Sequence, residues 1–341
     1  MQFQIPVNQK ILNLVAHLDH FRGLWSAGSW IPVARREALM AEARVQSTLT
    51  ACRMGGIRVS EKEIRQGTLH EDERNYREAE IFGFLRALEA GHRDYGEMLT
   101  AERIQETHAV ITGQKPTELH PAGWRTTHLD KEVFSEDGKA IGRVFTTLPP
   151  HVLDETMEDL VTWLEWELRS REQHPLLAIG VFTLALIAAS PFEAANGRVV
   201  WVLLSMLLER AGYAPAVFAP LLNGNRVERD AYYDALDRSQ DRIWSGEADL
   251  APWLIFFLET LVGQSVRVEA IAEEERESAA LSPLQRHILD TVQRHGSAEA
   301  GLLMKVTGAN RNTLKDNLRR LVDQGALERL GKRRGTRYRM P

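Results

Sequence analysis

The chain has 341 residues, 44% of them apolar, which is enough to bury a large core and excludes general disorder; two or three domains are expected at this length. Its single cysteine, Cys52, excludes an internal disulfide and any multi-cysteine zinc site, and points to a reducing, cytoplasmic setting. The net charge of −5 averages two unlike parts, because residues 281–341 hold thirteen Lys/Arg against five Asp/Glu, a basic end on an acidic body.

Met1 to Lys10 lacks a basic start followed by an apolar run, so no secretory signal is expected. From Val7 to about Leu119 the pattern is helical: Ile11, Leu12, Leu14, Val15 and Leu18 recur at helical spacing, as do Ile81, Phe84, Leu85 and Leu88. Val133 to Thr147, with Glu136-Asp137-Gly138-Lys139 in its middle, reads as a β-hairpin because Asp-Gly is a strong turn pair. Pro149-Pro150 ends it, Leu153 to Leu168 is an amphipathic helix, and His174-Pro175 precedes an apolar run, Leu176 to Ala189. That run is shorter than the roughly 18 to 20 residues of a membrane span, so no membrane association is expected.

Between this run and a second one, Val199 to Leu208, lies Ser190-Pro191-Phe192-Glu193-Ala194-Ala195-Asn196-Gly197-Arg198. Pro191 pushes Ser190 out of helical geometry, and Asn196-Gly197 is expected to turn the chain and cap the next helix. Two readings stay open. The loop is an ordinary helix connection in which Arg198 pairs with an internal acid, or Asn196, Gly197 and Arg198 present NH groups and a guanidinium to an anion such as phosphate or a nucleotide.

The second helix stops at Ala211-Gly212-Tyr213, with glycine as its cap. Asp230 to Leu236 and Trp253 to Val262 read as further helices, and the acidic stretch Glu269 to Ser282 as an interdomain linker or exposed helix. Next, Ser282-Pro283 opens a helix carrying Leu284, Ile288, Leu289 and Val292, and Ser297 is expected to cap a second helix through Val306. Asn310 caps a third, whose Leu314, Leu318, Leu321 and Val322 face inward and leave Arg311, Asn312, Lys315 and Arg319 outward. Gly325 ends it, and strand, basic turn (Lys332, Arg333, Arg334) and strand (with Arg337) follow.

The loop resembles the signature of Fic-domain proteins, His-Pro-Phe-x-Asp/Glu-Gly-Asn-Gly-Arg-x-x-Arg, which in active members transfers AMP from ATP to a protein hydroxyl. Pro191, Phe192, Asn196, Gly197 and Arg198 match. Ser190 replaces the catalytic histidine, Ala194 the acidic magnesium ligand, Ala195 the first glycine and Trp201 the second arginine. Asn75 to Ala79, Ile104 to Gly113 with His108, and Asp230 to Leu236 are similar to flanking elements of that family in the same order. Ala51 to Gly56 is similar to its inhibitory helix, with Gly55 in place of the inhibitory glutamate; a glycine-containing turn describes it equally well. The resemblance implies a mostly α fold, an all-helical Fic core with a β-hairpin flap, over residues 7–265. The C-terminal stretch resembles a winged helix-turn-helix.

The domains expected are a helical extension (1–115), a Fic-like core (116–268), a linker (269–281) and a winged helix-turn-helix (282–341). The resemblance implies a DNA-binding transcriptional regulator on a catalytically inactive scaffold, its partners double-stranded DNA and a second copy in a homodimer. A divergent AMP-transferring or phosphoryl-modifying enzyme is the alternative. Serine is no general base at neutral pH, and the eleven histidines show no metal-ligand spacing, so no catalytic residue, metal or cofactor is expected.

Overall fold

The computed structural model describes residues 1–27, 31–54, 59–67, 77–113, 123–134, 140–222, 225–323, 325–331 and 336–341. It divides into two units, Met1–Glu269 and Ala270–Pro341. In the first, helices α1 (Gln9–Ala27), α2 (Val33–Met54), α3 (Glu61–Gln66), α4 (Arg77–Arg93) and α5 (Ala101–Thr112) precede an antiparallel hairpin, β1 (Asp130–Phe134) with β2 (Ala140–Thr146). The strand begins three residues before the expected Val133, and the turn at 135–139 lies outside the described residues. Helices α6 (Leu153–Ser170), α7 (Pro175–Ala189), α8 (Asn196–Arg210) and α9 (Arg226–Gln240) follow.

Helix α7 is the centre of this unit, with every residue from Leu176 to Ala189 buried. Pro175 at its first turn lacks the NH that a helix start leaves unpaired, and His174 Nδ1 accepts the Leu176 NH at 3.3 Å. The long helix α10 (Ala251–Ala280) packs on it at Gly180, whose missing Cβ admits Leu254 and Phe257. The Gly180 carbonyl accepts Trp253 Nε1 at 2.8 Å. At Gly83 of α4 a Cβ would lie 2.0 Å from the Ile111 carbonyl oxygen, so glycine sets the close approach of α4 to α5. Phe3, Ile11, Phe84 and Ile104 join one core with α7 and α8, so residues 1–115 and 116–268 share an interior.

The stretch 269–281, expected as a linker or an exposed helix, is helix up to Ala280. Its Ala, Glu and Arg residues have high helical propensity and no Pro or Gly interrupts them. On α1, Ile11 and Leu18 are buried, but Leu12, about 100° round the helix from Ile11, stays 49% exposed.

In the second unit, α11 (Pro283–His295) starts with a capping box of Ser282 and Gln285. Ser297 does not cap the following helix. A short strand, β3 (Ala298–Glu299), intervenes, and α12 (Ala300–Thr307) begins after Glu299, because the segment is drawn into the sheet. Gly308 (φ 67°) makes the turn to α13 (Arg311–Asp323), where Asn310 Oδ1 accepts the Thr313 NH at 2.9 Å. Strands β4 (Glu328–Leu330) and β5 (Arg337–Arg339) complete an antiparallel sheet in the order β3-β5-β4. Ile288, Val292, Leu303, Leu314, Leu318 and Leu321 are its core, with Val322 half-buried at the edge. No helix among the described residues is long and apolar enough to cross a membrane, and no group of ligating side chains there could hold a metal ion.

Asp19 of α1 ties three elements together. Its Oδ1 accepts Tyr213 Oη at 2.6 Å and its Oδ2 lies 3.1 Å from His174 Nε2, which carries the proton because Nδ1 is an acceptor. Burial raises the Asp19 pKa, but the hydrogen bonds from Tyr213 and His174 and the nearby charges outweigh it, and the net shift is downward. A carboxylate whose folded pKa is lowered contributes stability that is complete above its unfolded pKa of about 3.9 and lost as pH falls through the folded value. Asp19→Asn is therefore expected to lower the urea midpoint at pH 7 and to flatten the acid limb of the stability curve below about pH 4; an unchanged acid limb would show that this carboxylate does not contribute to it.

Candidate functional site

Helix α7 ends at Ala189, and Ser190 turns the chain with φ 44°. Pro191 does bar the right-handed helix at Ser190, yet the residue enters the left-handed region rather than the extended one. The Ser190 NH donates to the Leu186 carbonyl (3.1 Å) and its hydroxyl to the Ile187 carbonyl (2.7 Å), with no exposure to solvent. Phe192 is buried too, stacked on His108 at 3.9 Å between ring centres and 2° between planes, with Trp124 at 5.3 Å.

The turn into α8 differs from the expectation. Ala195 (φ 63°) is the left-handed residue, while Gly197 has no positive φ and a Cβ there would meet nothing within 4 Å. An alanine in this conformation costs about 1–2 kcal/mol relative to right-handed geometry. Asn196 does not cap α8. Its Oδ1 accepts the Phe192 NH (2.9 Å) and its Nδ2 donates to the Phe192 carbonyl (2.8 Å), because closing the loop on itself satisfies two buried backbone groups at once. Glu193 is exposed and accepts the Thr127 hydroxyl at 2.7 Å.

Arg198 forms an ion pair with Glu80 of α4, and its Nε is buried with no partner among the described residues. Cys52, at the end of α2, senses both charges: burial pushes its thiol up to about 11, Arg198 opposing and Glu80 adding. Trp201 is half-buried, 6.5 Å from the Phe84 ring. Ala194 lies at the loop's crest beside His108, whose ring hydrogen-bonds its backbone. Gly55 lies outside the described residues.

Three groups that hold the site were not singled out for it from the sequence. Arg125, 3% exposed, donates to the carbonyls of Ser190 (2.8 Å), Thr127 (2.6 Å), Ala189 (3.3 Å) and Leu148, and its own NH donates to the Pro191 carbonyl (2.8 Å). Glu80 is the partner of Arg198, and His108 is the stacking platform for Phe192. Their only sequence signals are an arginine in an otherwise uncharged Pro-Ala-Gly-Trp-Arg stretch and a histidine on an apolar helix face.

In the C-terminal unit, Asn310 caps α13, and Arg311, Asn312 and Lys315 are exposed on its first turns. Arg319 reaches Asp323 at 3.7 Å, and Arg337 reaches Glu299 across the sheet at 3.1 Å. Lys332, Arg333 and Arg334 lie outside the described residues.

Residues 98–208, from the start of α5 to near the end of α8, match the model of the Fic/DOC family. Among similar solved structures is a Fic family protein from Desulfovibrio desulfuricans, 18% identical, TM-score 0.62, covering 100% of this chain and 98% of that one. A Fic domain-containing signaling protein from Bacteroides thetaiotaomicron is 14% identical, TM-score 0.60, covering 79% and 97%. Fic-1 from C. elegans is 19% identical, TM-score 0.58, covering 78% and 73%. Residues 98–208 are thus similar to the Fic/DOC family, and the fold around them is mostly helical and Fic-like.

Burial lowers the His108 pKa to about 4, with the charge of Arg198 adding to it and the hydrogen bond to the Ala194 backbone opposing. An unfolded histidine titrates near 6.5, so the stability is fully present above that pH. It is lost as pH falls from about 6.5 toward 4, by about 3 kcal/mol in all at the order of magnitude. His108→Gln should flatten the urea-midpoint profile between pH 6.5 and 4; a slope equal to that of the wild type would assign the acid sensitivity to other groups.

Proposed function

We propose that the protein is a DNA-binding transcriptional regulator, a winged helix-turn-helix carried by a Fic-like scaffold that performs no nucleotidyl transfer. The observation that carries the enzymatic half is the Ser190 hydroxyl, buried and donating to the Ile187 carbonyl. It stands where the family signature has its general base, a group worth roughly 10² to 10⁴ in rate, and a hydroxyl in this position accepts no proton at neutral pH. Ala194 supplies no oxygen for magnesium, and the loss of that ion removes several kcal/mol of phosphate charge stabilisation. Asn196 and Arg198, the residues left to meet an anion, are engaged with Phe192 and Glu80.

The DNA-binding half rests on the order α11, β3, α12, α13, β4, β5 with its β3-β5-β4 sheet. In such a module the second helix of the pair enters the major groove, where arginine suits guanine and asparagine suits adenine. Arg311 and Asn312 sit exposed at that helix start. Lys315, Arg319, the turn residues Lys332, Arg333 and Arg334, and Arg337 would meet phosphates. A homodimer would place two modules on paired half-sites.

Arg311→Ala or Asn312→Ala should cost about 1 to 3 kcal/mol on the preferred site and relax sequence choice. Arg333→Ala and Arg334→Ala should weaken all sequences alike and reduce the salt slope by about one unit each. Selection of bound duplexes with the purified chain, then titration of these variants, checks both; equal loss on every sequence from both classes would show that α13 does not read bases. The alternative, AMP transfer through a divergent motif, draws its support from the family match at residues 98–208. Incubation with labelled ATP and magnesium decides it: label on a protein target would replace the regulator reading.

A further inference from the structure

Helix α6 turns one face to water along its whole length. At about 100° per residue, Glu155, Glu158, Asp159, Thr162, Trp166 and Arg169 all point within about 60° of Thr162, and all six are exposed. On the opposite side Leu153, Met157, Leu160 and Leu164 are buried in the core. Trp166 breaks this division of apolar from polar. It is 56% exposed, the only exposed tryptophan or phenylalanine among the described residues. Met98, 57% exposed, is one residue from Leu99, whose NH donates to Glu165 Oε1 at 2.9 Å, so a second large apolar side chain lies close by.

The charges on this face are unmatched within the chain. Glu155, Glu158 and Asp159 have no lysine or arginine three or four residues away on α6. Arg169 has an acid one turn before it, Glu165, but that carboxylate is buried and taken by Arg210 at 2.7 Å and by the Leu99 NH. None of the four exposed groups forms an ion pair among the described residues. Acids at the start and a base at the end suit the dipole of any helix. The dipole does not account for an uncovered tryptophan set between them.

We infer that this face of α6 is a dimer interface, and that what covers it is α6 of a second copy, antiparallel and related by a two-fold axis at Thr162. Glu155 and Arg169 lie seven residues either side of Thr162. The rotation that sets Thr162 on Thr162 therefore sets Glu155 on Arg169 of the second copy and the reverse, giving two ion pairs about 21 Å apart along the helices. It also lays each Trp166 over Glu158 and Thr162 of the other copy, so both indoles are covered. A parallel pairing would set Glu155 on Glu155 and Arg169 on Arg169, so the charges select the antiparallel one. Tryptophan, methionine and arginine are also the residues in which interface centres are enriched. The face supplies the surface for the homodimer proposed above, and it belongs wholly to the first unit, so it does not depend on DNA binding.

Sedimentation of the full chain between about 1 and 100 µM tests this, and should show a monomer-dimer equilibrium. Trp166→Ala should weaken the dimer about thirtyfold or more, the mark of an interface anchor, with circular dichroism unchanged because the side chain is exposed. Thr162→Arg, which sets like charges on the axis, should disperse it as well. Glu155→Arg and Arg169→Glu should each disperse the dimer, and an equimolar mixture of the two should recover it, because in the mixed pair both contacts again join an arginine to a glutamate. Recovery on mixing cannot come from a change inside one chain. The inference is overturned if the wild-type chain stays monomeric at the top of this range, or if the mixture of folded charge variants stays monomeric. A dimer unchanged by both Trp166→Ala and Thr162→Arg uses another face, which sinks this interface and leaves the homodimer standing. Selection of bound duplexes with the wild-type chain decides the regulator reading separately.

Discussion

The loop between α7 and α8 depends on one buried cation. The Arg125 guanidinium sits against the carbonyl end of α7, where the last peptide dipoles leave negative charge, and it satisfies the carbonyls of Ala189 and Ser190 together with those of Thr127 and Leu148. Those four carbonyls come from three stretches of chain: the segment before the hairpin, the segment after it, and the helix end. Without the cation the carbonyls of Ala189 and Ser190 would be unpaired buried acceptors, at about 1–3 kcal/mol apiece, while those of the exposed Thr127 and half-buried Leu148 could turn to water. Thr127, fixed by this bond, then holds Glu193 through its hydroxyl, so the order at Arg125 passes outward to the loop's exposed edge.

Given that anchor, the remaining loop contacts explain how two left-handed, non-glycine residues are tolerated. Ser190 and Ala195 bracket a tight excursion that Asn196 closes from inside by its paired hydrogen bonds to Phe192. Phe192 is in turn pinned between His108 and Trp124, so the strain at both ends is held against a filled interior. Arg198, on the first turn of α8, joins the loop to α4 through Glu80. The same pairing places a charged group beside Cys52 at the end of α2, which makes the loop the junction of α2, α4, α7 and α8.

The helices were legible because their apolar positions repeat and their ends carry recognisable chemistry: Pro175 after His174, Ser282 before Pro283, Asn310 before Arg311. The loop was legible as a motif but not as a mechanism of folding. Asn196 looked like a cap because asparagine before a helix usually is one, and only the distance to Phe192 shows that its amide is used differently. Arg125 acts through backbone carbonyls, which every residue possesses, so no pattern of side chains announces it. Glu80 lies 118 residues from Arg198, and a contact of that separation is fixed by the packing of α4 on α8, not by local spacing. Helix α10 overran its expected end because an acidic stretch rich in alanine fits a solvated helix as readily as a linker.

Charge in the C-terminal unit is more focused than composition implies. The exposed face of its sheet pairs Glu299 with Arg337 and Glu328 with Arg339 in register across β3-β5-β4, the second pair at 2.7 Å, and Asp323 reaches Arg319 one turn along α13. Three of the five acids are thus matched to three arginines, and the excess of eight positive charges falls on the other ten basic residues against Asp290 and Asp316. Since exposed pairs of this kind are worth at most about 1 kcal/mol each, their effect is less on stability than on where the field points. The strands present a nearly neutral face, whereas Arg311 and Lys315 at the start of α13 are exposed and paired with no acid among the described residues, so their charge stays available to the phosphate backbone that the proposed regulator would meet.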